Sequence, residues 1–107
     1  MNIETFRDFC LTLPHTTEDM PFGEDFLVFR IANHIFALMN LNRVPMSVSL
    51  KCEPERAIEL REQYPDKIVA GYHLNKKHWN TVICSGQLTD DEIFDLARLS
   101  YQLVAEA

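Results

Sequence analysis

Residues 71–80, GYHLNKKHWN, put two histidines, two lysines, a tyrosine and the chain's only tryptophan into one short run. Such side chains could bind a metal, move a proton or hold an anion. Spacing disfavours the metal: His73 and His78 are five apart, which misses the i, i+4 pair a helix offers to zinc. In an extended segment the same spacing puts them on opposite faces. Acid–base catalysis by His73 or His78 ranks below binding, because no nucleophile or orienting carboxylate lies nearby in sequence. Anion binding fares better. From Lys67 to Thr89 there is no acidic residue, while Lys67, Lys76 and Lys77 give +3; the whole chain is −6, so the remainder holds −9. Lysines interleaved with Tyr72 and Trp79 suit a phosphate backbone, since ammonium groups pair with phosphates and rings stack on bases. The competing reading is structural, with Trp79 a core residue at a strand start and the two adjacent lysines solvated in a turn.

Other chemistry is scarce. Three glycines, at 23, 71 and 86, cannot make a phosphate loop, and no G-x-S-x-G elbow exists. Cys10, Cys52 and Cys84 lie far apart in apolar runs and read as buried, unreactive free thiols of a reducing compartment. Glu18, Asp19, Glu24 and Asp25 lack the alternate spacing of a calcium loop and read as a solvated loop. His15 and His34 fall in expected turns. No catalytic residue, metal or cofactor is therefore assigned. The start of the chain has acids and a helical period where a signal peptide would be basic then apolar, and no run suits a membrane helix. A cytoplasmic protein with no membrane partner is expected.

The elements that must position the 71–80 run follow from periodicity. Asn2 can cap a helix that uses Ile3, Phe6, Phe9, Cys10 and Leu13 before Pro14 stops it. FLVFRI (26–31), a turn at Asn33–His34, IFALMN (35–40) and PMSVSLK (45–51) read as three strands. In the third, Met46, Val48 and Leu50 face the core, and Ser47, Ser49 and Lys51 face solvent or a partner. EPERAIELREQY is a helix opened by Pro54. A short strand near Ala70–Leu74 and another over 80–86 bracket the lysines, and the capping box Thr89-x-x-Glu92 starts a last amphipathic helix. The order α-β-β-β-α-β-β-α implies an α+β two-layer sandwich. Its antiparallel sheet has about five strands, helices cover one face, and residues 1–107 form a single domain.

GYHLNKKHWNTV, with SLKCEPERAIELR upstream, PFG near the N-terminus and SYQLV in the last helix, resembles the MmcQ/YjbR family of small bacterial proteins, in order and across nearly the whole chain. The resemblance implies a two-layer α+β fold like that of type III secretion chaperones and loosely like frataxin, and a DNA-binding role with the hairpins as a "double wing". The family motif falls here on Lys51, Pro54, His73, Leu74, Asn75, Lys76, His78 and Trp79, with no catalytic role for any of them. This chain departs by being acidic overall, which disfavours general duplex binding and leaves a local patch.

The expected function is thus a non-enzymatic binding domain with an anionic ligand, DNA first. Lys51, His73, Asn75, Lys76, Lys77, His78 and Trp79 form the expected site. A protein-interaction module or homodimer is the second expectation, and an enzyme using His73 or His78 the third. Within the run, Asn75 is expected to bond nearby backbone in a turn, and Leu74 and Trp79 to anchor it to the core.

Overall fold

The computed structural model describes residues 1–71 and 74–107. Three helices, α1 (Ile3–Thr12), α2 (Pro54–Gln63) and α3 (Asp90–Ala105), accompany six strands. The strands are β1 (Thr17–Asp19), β2 (Phe26–Ile31), β3 (His34–Asn40), β4 (Ser47–Lys51), β5 (Ile68–Ala70) and β6 (Trp79–Ile83). All pair antiparallel in the order β1-β2-β3-β4-β6-β5, an α+β fold with helices on one sheet face.

The elements form for local reasons. Asn2 accepts from Thr5 N at 2.8 Å, and Thr89 and Glu92 complete a reciprocal capping box on α3. The β2–β3 turn uses Ala32 and Asn33, at φ 52° and 67°, the positive pair that a tight hairpin demands; His34 therefore opens β3 instead of sitting in the turn. The acidic stretch expected as loop contains β1. Thr17–Asp19 pairs with the edge of β2, and Glu18 and Asp19 are held by Arg7 and Arg30. Three polar residues give no alternation to read, so this sixth strand has no sequence signal.

Register fixes which side chains share a face. Phe29, Ala37, Met39, Val48, Leu50, Val82 and Ile68 turn toward the helices and form the core with Phe6, Ala57, Ile93 and Ala97. Phe6 meets Phe29 edge-on at 6.1 Å, and Tyr101 meets Phe36 edge-on at 5.3 Å. Ser100 closes the layer. Its hydroxyl accepts from Lys51 N and donates to Phe36 O, just beyond the last β3–β4 pair, Ala37↔Leu50. The opposite row of the sheet, Val28, Leu38, Ser49, Thr81 and Val69, faces away from the helices.

Candidate functional site

The 71–80 run joins β5 to β6, and its lysines sit at the tip. Asn75 builds the turn: its Oδ1 accepts from Lys77 N at 2.8 Å, and its carbonyl accepts from Trp79 N at 2.9 Å and His78 N at 3.2 Å. Lys76 and Lys77 are thereby exposed, while His78 is half-buried and its carbonyl accepts from Cys52 N at 2.7 Å. Arg61 clasps this turn to α2, donating to Lys76 O at 3.2 Å and Asn80 Oδ1 at 2.9 Å, and Asn80 in turn donates to Ala57 O. Gly71 pairs with Trp79 so closely that a Cβ on it would stand 2.8 Å from Trp79 Cβ. His73, expected in the site, and Tyr72 lie outside the described residues.

Lys51 and Trp79 are cross-strand partners on the helix-free face. They open on a hollow of about 450 Å³ whose far side is Arg30, His34 and the end of α3. The carbonyl end of α3 carries partial negative charge, so the side of this corner suited to an anion is the one toward the 75–78 turn. The structure thus brings Lys51, Trp79 and the turn together. It does not bring Lys67 with them. Lys67 stands at the other end of the β5–β6 pair, where its amine donates to Ser85 Oγ at 2.7 Å. Among the described residues Lys51, Lys76 and Lys77 have no carboxylate partner, whereas Arg7, Arg30, Arg56 and Arg98 each have one.

The polar face of β4 is not open as expected. Ser47 and Ser49 are buried, Ser49 to 6 % exposure, although no helix covers them. The cover is supplied from outside the helices: Phe22 from the 20–25 loop and Leu74, just before the 75–78 turn, stand as walls over a bay of about 310 Å³. Its floor is Leu38, Ser49 and Thr81, with Ser49 Oγ and Thr81 Oγ1 hydrogen-bonded at 2.9 Å. Phe26, Asn40 and Arg43 complete one end. Leu74, half-buried, lines this bay and does not enter the core on the helix side. Sequence reasoning missed Arg43 and Phe22 as site residues; PFG was the only string that drew attention to the latter.

Reactive groups are muted. Burial pushes the Cys10 thiol up to about 12 and the Cys84 thiol up to about 11, and raises Cys52 as well, so none of the three is a thiolate near neutrality. Among the described residues no cluster of His, Cys, Asp or Glu could hold a metal ion, and no helix is long and apolar enough to cross a membrane.

Comparison with known proteins fits this geometry. The YjbR family model matches residues 11–103. The uncharacterized protein YbdF of Escherichia coli O157:H7 is 35% identical over 96% of this chain and 84% of its own. The uncharacterized protein YjbR of E. coli K12 is 32% identical over 95% of this chain and 86% of its own. A Deinococcus radiodurans crystal structure carrying a DUF419 domain superposes with a TM-score of 0.92 at 40% identity, over 96% of this chain and 78% of that one. A Pseudomonas syringae crystal structure does so at 0.79 and 31% identity, over 97% and 99%. The chain belongs to the YjbR family.

Proposed function

We propose that the chain is a non-enzymatic binding domain that takes an anionic polymer, nucleic acid first, at the corner where Lys51, Trp79 and the 75–78 turn meet. One observation carries this reading. In an acidic chain whose arginines are mostly paired, Lys51, Lys76 and Lys77 have no carboxylate partner among the described residues and sit beside a half-buried indole. Ammonium groups release counterions from phosphates and the ring offers a stacking surface, which suits single strands better than a long duplex contact. His78 and Asn75 belong to the same proposal as residues of the turn, and His73 belongs to it as a member of the same sequence run.

Mobility shift with single-stranded and duplex oligonucleotides at low and moderate salt tests it. Binding should weaken with salt, and Lys76→Ala with Lys77→Ala should weaken it across all sequences and flatten the salt slope. No shift at micromolar protein in low salt sinks the nucleic-acid reading. A protein partner or second copy is the alternative, supported by Ile58 on α2 and Leu99 on α3, large apolar side chains left exposed on the helix side. Light scattering separates the two, since a dimer that covers residues 71–80 removes the corner from solvent.

A further inference from the structure

The bay on the helix-free face begins at Ser49 and Thr81, the same-face pair next to Lys51 and Trp79, but neither Lys51 nor Trp79 lines it and the anionic-polymer reading leaves it unused. The geometry points to a second binding site there, for a small amphipathic carboxylate. An apolar body of aromatic or branched-chain size would sit between Phe22 and Leu74, with its carboxylate on Arg43. At about 310 Å³ the bay falls at the lower end of small-molecule sites. Its lining is the mixture such sites use, apolar walls with a few convergent polar groups, here Asn40, Ser49 and Arg43.

Arg43 decides the charge of the ligand. Arg7, Arg30, Arg56 and Arg98 pair with carboxylates, and Arg61 donates to Lys76 O and Asn80 Oδ1. Of the six arginines, Arg43 alone has neither an ion pair nor a hydrogen bond among the described residues. Asp25, in the neighbouring loop, does not line the bay and makes no ion pair with Arg43; its Oδ1 accepts from Asn42 Nδ2. Asn40 Oδ1 accepts from Asn42 N at 3.0 Å, so Asn42, just before Arg43, is held once through its backbone and once through its side chain. Arg43 is exposed at the rim of the bay, and its guanidinium presents a planar fork that matches the carboxylate of a ligand seated there. A bare phosphate would satisfy Arg43 and leave the walls empty. A neutral hydrocarbon would fill the walls and leave Arg43 unused. Phe22 is 60 % exposed, held out by the turn at Gly23 (φ 98°), and an apolar ligand would cover it.

The test uses phenylacetate and 4-methylpentanoate, each against its uncharged amide, by calorimetry and by amide shifts in NMR. Both acids should bind, shift the amides of Leu38, Ser49 and Thr81, and bind about tenfold or more tighter than their amides, as a charge-assisted bidentate contact requires. Arg43→Gln should erase that preference, Arg43→Lys should keep part of it, and Phe22→Ala should weaken acid and amide alike. The variant lacking Lys76 and Lys77 should bind phenylacetate normally, which separates this site from the corner. Equal affinity of acid and amide, a preference that survives Arg43→Gln, shifts confined to Lys51 and Trp79, or no binding of any probe at millimolar concentration would each overturn the proposal.

Discussion

Replacing Ser100 by alanine removes a hydroxyl that is wholly buried and bonded twice. It accepts from Lys51 N at 2.8 Å and donates to Phe36 O. Direct β3–β4 pairing ends at Ala37↔Leu50, so this side chain takes over where the ladder stops. Alanine is small enough that nothing clashes, and the loss is one of hydrogen bonds. An orphaned buried backbone group costs about 1–3 kcal/mol, and two are created; water reaching half-buried Lys51 recovers part, giving about 2–4 kcal/mol. In a domain of this size that lowers Tm by roughly 8–20 °C. Urea unfolding followed by circular dichroism should show a lower midpoint with an unchanged slope. A loss under about 0.5 kcal/mol, the range of ordinary surface changes, would refute the bridging role. The consequence reaches the corner, because Ser100 holds the strand end that presents Lys51.

Gly71→Ala would place a Cβ 2.8 Å from Trp79 Cβ and 3.0 Å from Trp79 O, forcing the β5–β6 pair apart at a cost of about 1–3 kcal/mol. The obstacle is the Trp79 Cβ and not its ring, so adding Trp79→Ala should give no rescue in an unfolding series; rescue would refute the contact. Glu92 accepts from Thr89 N at 2.9 Å in the capping box and also from Tyr64 OH, which holds its carboxyl below the usual glutamate range. A lowered folded value means stability that is present above the ordinary glutamate range and lost as pH falls through the folded one. Urea midpoints should therefore drop less steeply in Glu92→Gln than in the parent between about pH 6 and pH 3; parallel curves would argue against the linkage.

The fold was legible wherever one residue type repeated at one period. FLVFRI matches β2 residue for residue, the Thr89–Glu92 box marks the start of α3, and Pro54 opens α2. The misses have separate causes. β1 is three polar residues whose strand character comes from the edge of β2 and from Arg7 and Arg30, neither of which is local. The fourth expected strand, near Ala70–Leu74, meets β5 (Ile68–Ala70) only at Ala70; Gly71 and Leu74 fall outside the strand, and residues 72 and 73 lie outside the described residues. The acid-free window counted three lysines together, yet antiparallel pairing carries Lys67 to the end opposite Lys76 and Lys77. Most of the bay escaped notice for a related reason. Phe22 and Leu74 come from loops, which show no periodicity, and only the sheet between them makes them neighbours.

The hydroxyls under that bay raise a question that stability does not answer. Ser49 sits in a row with Val28, Leu38 and Val69, on a strand where an apolar side chain would avoid the cost of burying an oxygen. Its hydroxyl bonds Thr81 at 2.9 Å, which offsets that cost and leaves little net gain. Thr81 is not left without a partner when Ser49 is removed. Ser49→Ala should therefore cost no more than about 0.5–1.5 kcal/mol, the net worth of one hydrogen bond. If the oxygen is there for a ligand, the same change should weaken phenylacetate more than it weakens the fold, and should do so without altering oligonucleotide affinity. A stability loss beyond about 3 kcal/mol, with phenylacetate binding unchanged, would make Ser49 a structural residue of the sheet and leave Arg43 alone to carry recognition in the bay.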